Sequence, residues 1–192
     1  MLKKLAVWFV VTTHLFAMHV AELNLNNSEV EVGVKLDIGQ FIYSIDPDKT
    51  FFGVKFLKAD EDNGDYTNPR EMYELNFIVQ QFLFSSKIFA GLGIKANYIA
   101  NKDFLVAPLS AKLGYMFDMR LPVYLGAEYH YAPEMLSFMD AKGYKELRFD
   151  VDIELFKIAL LNIGYRNIET KFKTGGYNTY NHAGYIGVKF KF

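Results

Sequence analysis

The chain has 192 residues, 51% hydrophobic and 17% aromatic, with a formal net charge of −1 and no cysteine. That charge balance offers nucleic acid no basic surface, and the missing cysteine excludes a disulfide scaffold, a thiolate metal site and a lipid-bearing cysteine after an export signal. The length suits one small domain.

Lys3 and Lys4 precede an apolar run, Leu5 to Phe16, interrupted only by Thr12, Thr13 and His14. The segment from Ala17 to Ala21 can serve as a cleavage region, so residues 1–21 read as a secretory signal and 22–192 as the mature chain. With a cut after Ala21, His19 occupies the −3 position, where a smaller residue is usual. The run is too short to cross a bilayer, which needs ~20 residues. No later stretch is continuously apolar over that length. A membrane-embedded mature chain must therefore span as strands.

Nine strand segments follow, at about 29–45, 50–59, 71–84, 87–98, 105–117, 121–132, 144–156, 159–172 and 182–192. In 87–98, Ile88, Ala90, Leu92, Ile94 and Ala96 alternate with Gly91, Gly93, Lys95 and Asn97. Segment 105–117 sets Leu109, Ala111, Leu113 and Tyr115 against Ser110, Lys112 and Gly114. The clearest is 144–156, where Leu147, Phe149, Val151, Ile153 and Leu155 alternate with Glu146, Arg148, Asp150, Asp152 and Glu154. In the first segment the apolar phase flips across Gly39-Gln40, which reads as a bulge.

The connections alternate in character. Short ones fall at 46–49, 85–86, 118–120 and 156–158, and mostly longer, more polar ones at 60–70, 99–104, 133–143 and 173–181. Outer-membrane barrels combine short periplasmic turns with long external loops. If the C-terminus is periplasmic, parity requires one more strand before residue 29, and Glu22 to Leu25, ahead of Asn26-Asn27-Ser28, is the segment available. The expected fold is an all-β, closed antiparallel transmembrane barrel of 8–10 strands, ten being the best count.

Three features turn the apolar faces outward, toward lipid. The polar faces carry glycines and opposed charges, as a crowded lumen would. Tyr98, Phe104, Phe117, Tyr129, Tyr131 and Phe156 cluster near strand ends, as interfacial girdles do. The chain also closes on Tyr185-Ile186-Gly187-Val188-Lys189-Phe190-Lys191-Phe192, with Lys189 and Lys191 between apolar residues. This run resembles the C-terminal signal read by the outer-membrane assembly machinery, with Tyr185, Gly187, Phe190 and Phe192 at its key positions. The location implied is the outer membrane. The implied partners are its lipid, lipopolysaccharide and that machinery.

The stretch from Glu128 to Asp140 (EYHYAPEMLSFMD), followed by Tyr144 and Glu146, resembles the most recognisable block of the YfaZ family of outer-membrane proteins. Gly164-Tyr165-Arg166-Asn167-Ile168 and the closing strand resemble further blocks. The similarity covers most of the mature chain and is most specific in its C-terminal third. It implies a small, porin-like barrel and brings no catalytic residues or cofactor.

The densest charge set is Glu146, Arg148, Asp150, Asp152 and Glu154, with Glu128 and His130 on one neighbouring strand and Asn162 and Arg166 on the other. It reads as an internal salt-bridge network filling a small lumen, or else as the lining of a narrow cation-preferring path. The acidic stretch 60–65 places Gly64 at position five rather than six of a calcium loop, so it reads as a solvated surface loop; divalent bridging to lipopolysaccharide is the weaker alternative. His130 and Glu128 share a face, but no third ligand is evident, and Ser137, the nearest nucleophile, belongs to a loop. Gly175-Gly176 marks a turn and nothing more.

Met135, Leu136, Phe138 and Met139 make the 133–140 loop unusually apolar, fit for a lid, an interaction patch or packing against neighbouring loops. The expected role is a non-enzymatic structural or interaction barrel, or a narrow passive channel. A lipid-modifying barrel enzyme is the alternative.

Overall fold

The computed structural model describes residues 19–59, 70–83 and 87–192. Within them the strands are β1 Val20–Leu25, β2 Glu29–Asp37, β3 Thr50–Ala59, β4 Arg70–Leu83, β5 Ile88–Ile99, β6 Phe104–Val106, β7 Leu109–Phe117, β8 Val123–Ala132, β9 Ser137–Met139, β10 Ala141–Phe156, β11 Ala159–Phe172 and β12 Tyr177–Lys191. All pairings are antiparallel. The order β4-β3-β2-β1-β12-β11-β10-β8-β7-β5 closes on itself through β4–β5, so ten strands form the ring. The short β6 and β9 continue the sheet above β5, outside that ring.

Closure depends on β1, the short strand that parity required. Its six residues pair with both β12 and β2, from Val20↔Lys191 to Leu25↔Ile186 on one side. His19 adds a reciprocal pair of bonds to Phe192, of 3.2 and 3.0 Å. Most of the expected signal, residues 1–18, lies outside the described residues. Val20 and Ala21, on the signal side of the expected cut, belong to the ladder.

The alternation read from sequence decides which face is which. Val32, Leu75 and Leu113 point outward and are 45%, 50% and 56% exposed, whereas Glu31 and Glu74 point inward and are 2% and 3% exposed. A soluble barrel would reverse this, because burying carboxylates while wetting aliphatic side chains is unfavourable on both counts. An apolar exterior around a polar interior is the pattern of a transmembrane barrel.

Several boundaries differ from the sequence reading. Segment 29–45 is not one bulged strand: β2 stops at Asp37, whose carboxylate accepts from Gly39 N at 3.0 Å and Asp48 N at 2.8 Å and so starts a 3-10 turn over Ile38–Gln40. Phe41, Ile42 and Tyr43 lie exposed after it. Segment 105–117 is interrupted at Pro108, which has no N–H for a ladder; its carbonyl accepts from Lys95 N at 2.9 Å. The stretch before it turns away as β6 to pair with β9. Phe104 is therefore fully buried and not part of a lipid-facing girdle. β12 begins at Tyr177, five residues before the expected 182, and leaves only 173–176 as a loop.

Candidate functional site in the barrel lumen

Inward positions of the ten strands build three tiers. At the loop end, opposite the chain termini, sits an apolar cap. Leu57, Met72, Ile99, Phe104, Val106 and Ile168 pack there with Ala132, Ala141 and Tyr144, and Leu136 leans in from the 133–140 loop. β6 and β9 form its roof. Ala107 N donates to Leu136 O at 2.8 Å and Asp140 N to Asp103 O at 3.0 Å, tying the two loops together.

Below the cap is a buried charge network. Arg148 donates from Nη1 and Nη2 to the two oxygens of Glu31, 2.8 Å each, and from Nη2 to Glu146 Oε1 at 3.3 Å. Arg166 also holds Glu31, reaches Glu29 Oε2 at 3.0 Å, and donates from Nε to Asn181 Oδ1 at 2.8 Å. Lys95 bridges Glu74 and Glu146 at 3.0 and 3.1 Å. Tyr144 Oη adds 2.9 Å to Glu146, and Asn24 Nδ2 adds 2.8 Å to Glu31. Each of these ionised groups is at most 7% exposed. Buried charges persist only when partners replace the water they lose, and here β2, β4, β5, β10 and β11 supply both signs at one level.

Toward the terminal end the pairs loosen into half-buried ones. Asn162 Nδ2 donates to Asp150 and Asp152 at 3.1 and 2.6 Å, Tyr185 Oη donates to Asp150 at 2.7 Å, and Lys189 holds Asp152 at 2.8 Å. Glu154 takes Lys191 at 2.9 Å and Tyr124 Oη at 3.2 Å. Glu128 pairs with Lys112 at 2.8 Å. Between these pairs lies a cavity of about 370 Å³. Its walls come from the terminal halves of the strands, and Glu74, Lys95 and Arg148 form its inner end. Among the described residues it forms a vestibule that ends at these ion-paired side chains.

All nine residues of the sequence-derived set therefore face the lumen, distributed over the two lower tiers. Glu128, His130, Glu146 and Arg148 meet through the registers Glu146↔His130 and Arg148↔Glu128, and Arg148↔Arg166 and Asp152↔Asn162 bring in β11. Glu29, Glu31, Glu74 and Lys95 escaped sequence reasoning, although they complete the network. Their alternation was visible, but which strands face each other across a closed barrel is not encoded locally.

His130 Nδ1 lies 2.8 Å from Ser110 Oγ, while its Nε2 is 3.4 Å from Glu128. A serine, an imidazole and a carboxylate in a row resemble a hydrolase constellation. Ser110 and His130 are 5% and 1% exposed, and neither lines the vestibule, so no space for a substrate adjoins the hydroxyl. Ser137 Oγ, the nucleophile nearest in sequence, instead donates to Pro133 O at 2.9 Å. Among the described residues no group of three His, Cys, Asp or Glu side chains is arranged to hold a metal ion. The acidic stretch 60–65 lies outside the described residues.

The apolar loop divides. Leu136 packs into the cap, whereas Met135, Phe138 and Met139 are 81%, 47% and 51% exposed. The C-terminal run divides as well: Phe190 and Phe192 face outward, Tyr185 reaches inward, and a Cβ on Gly187 would collide with Asn24.

The model of the YfaZ family, described as YfaZ precursor, matches residues 3–192. No curated protein matches the chain significantly. Among solved structures it is similar to a KdgM porin, at 9% sequence identity and a TM-score of 0.49, over 91% of this chain and 98% of that one.

Proposed function

The chain belongs to the YfaZ family, and from that premise we propose a non-enzymatic outer-membrane barrel whose lumen is closed at rest, acting as a structural or interaction protein of the envelope. One observation carries this reading. The Arg148–Glu31–Arg166 cluster occupies the lumen at 1–4% side-chain exposure, beneath an apolar cap. A solute would have to part several buried ion pairs to pass. On this reading the vestibule and both termini lie on the periplasmic side, a placement supported by the short connections 118–122 and 157–158 at that end. The outward aliphatic band then meets membrane lipid and lipopolysaccharide acyl chains, and the terminal strand β12 is the element offered to the assembly machinery.

The test is conductance of the purified barrel in a planar bilayer, with heat-modifiable gel migration reporting that it is folded. Silence is expected. Discrete, reproducible steps would overturn the closed reading.

A narrow passive channel is the second reading, favoured by the vestibule, which already opens the terminal half of the lumen as far as Lys95 and Arg148. It requires Asp150→Asn or Asp152→Asn to alter conductance or ion selectivity. On the closed reading the same variants lose only stability.

A further inference from the structure

We propose that the vestibule is a binding site for small organic monocarboxylates with an aromatic body, and that Lys35 is their counter-ion. The other lysines around the vestibule are matched. Lys55 holds Glu22 at 2.6 Å, Lys112 holds Glu128 at 2.8 Å, Lys189 holds Asp152 at 2.8 Å, Lys191 holds Glu154 at 2.9 Å, and Lys95 bridges Glu74 and Glu146. Lys35 has no carboxylate within ion-pair distance among the described residues. Its Nζ lies instead 4.5 Å above the ring centre of Phe51.

Lys112, Lys189, Glu128 and Glu22 line the same space, and each is already engaged. Asp48 lines the same space and is attracted by Lys35 without forming an ion pair with it. One lysine amine without a carboxylate partner thus faces a cavity inside a membrane barrel, where a partnerless charge is costly. A ligand carboxylate would stabilise its charged form.

The walls select what else the ligand carries. Phe51, Phe82, Phe89, Ile78, Met116 and Leu160 line the same space. This apolar part of the wall lies among the matched ion pairs, so a ligand that sets a carboxylate on Lys35 and an aromatic ring on these side chains fits better than an inorganic anion, which leaves them uncovered. The volume of about 370 Å³ falls at the small end of ligand sites, roughly 300–1,000 Å³. The closed-barrel reading matters here only for the side from which the ligand arrives.

The experiment is calorimetric titration of the folded full-length mature barrel in nanodiscs with 3-phenylpropanoate, 3-phenylpropanol and 3-phenylpropylamine. Saturable binding of the acid is expected, at least about tenfold tighter than that of the alcohol or the amine. Lys35→Met should lose that preference and Lys35→Arg should keep it. Equal affinity for acid and alcohol would reduce the effect to partitioning and overturn the proposal, as would undiminished binding by Lys35→Met. Should that variant fail to fold, the three-probe comparison on the wild type decides alone. Conductance is not part of the readout, so a conducting barrel would sink the closed reading without touching this one.

Discussion

Arg148 and Glu31 stand 117 residues apart in the chain and meet across the lumen through two parallel hydrogen bonds of 2.8 Å. A planar guanidinium facing both oxygens of a carboxylate is the strongest geometry available to an ion pair. In a soluble core such a pair competes with apolar packing and often loses. In a barrel whose outer face is apolar, the inside is where charge must go, so the pair locks strands from opposite walls.

Breaking that clamp should be costly. Glu31→Leu leaves Arg148 and Arg166 facing each other with one acceptor fewer, and an uncompensated buried charge costs about 3–5 kcal/mol. Removing both partners, Glu31→Leu with Arg148→Met, should cost less than the sum of the single changes, with a coupling of roughly 0.5–3 kcal/mol. Urea unfolding in lipid vesicles measures all three. Strict additivity would show that the two residues do not act as a pair.

Two glycines that flank Asp150, on the strands either side of β10, should respond oppositely to alanine. A Cβ on Gly164 would lie 2.6 Å from Cε2 of the Tyr185 ring, so Gly164→Ala must push the phenol away from Asp150 at a cost of about 1–3 kcal/mol. Gly126 has Asp150 Cβ at 3.9 Å as its nearest neighbour, and alanine there restricts the unfolded chain without a clash. Gly126→Ala should be neutral or stabilising. The contrast is read from the urea midpoints of the two variants, and similar losses for both would contradict it.

Local periodicity explains why so much was legible. The strand Glu146 to Glu154 announces its two faces residue by residue, and the expected export signal and the aromatic closing run point to an environment that turns the polar face inward. Distance along the chain explains what was not. Lys95 read as one polar position among glycines, because its partner Glu146 is 51 residues away. Lys35 looked like any lysine in an alternating strand, since its significance lies in what fails to pair with it. Asp37 read as strand interior because the turn it caps is built by Gly39 and by Asp48, 11 residues on.

The Ser110–His130 contact gives the enzymatic alternative its sharpest test. If it serves packing alone, cells expressing the wild type or His130→Ala should show identical lipid A and phospholipid profiles by mass spectrometry. The variant should lose stability by about 1–3 kcal/mol, the cost of leaving the buried Ser110 hydroxyl without its imidazole partner. A lipid product that appears with the wild type and vanishes with His130→Ala would make the barrel an enzyme.

Phe104 separates a cap from a girdle. It is fully buried and meets the Phe172 ring at 5.0 Å between centres, whereas Phe138, one strand further out on β9, is 47% exposed. Phe104→Ala should therefore open a cavity at a cost of about 3–5 kcal/mol. Met135→Ala, at an 81% exposed position of the neighbouring loop, should stay within about 0.5 kcal/mol. The functional consequence can be read separately. If the cap is one of two barriers in series with the ion-pair tier, Phe104→Ala lowers the unfolding midpoint yet stays silent in a bilayer. Current through Phe104→Ala would mean that the charged tier yields once its roof is loosened, and would make the cap the gate.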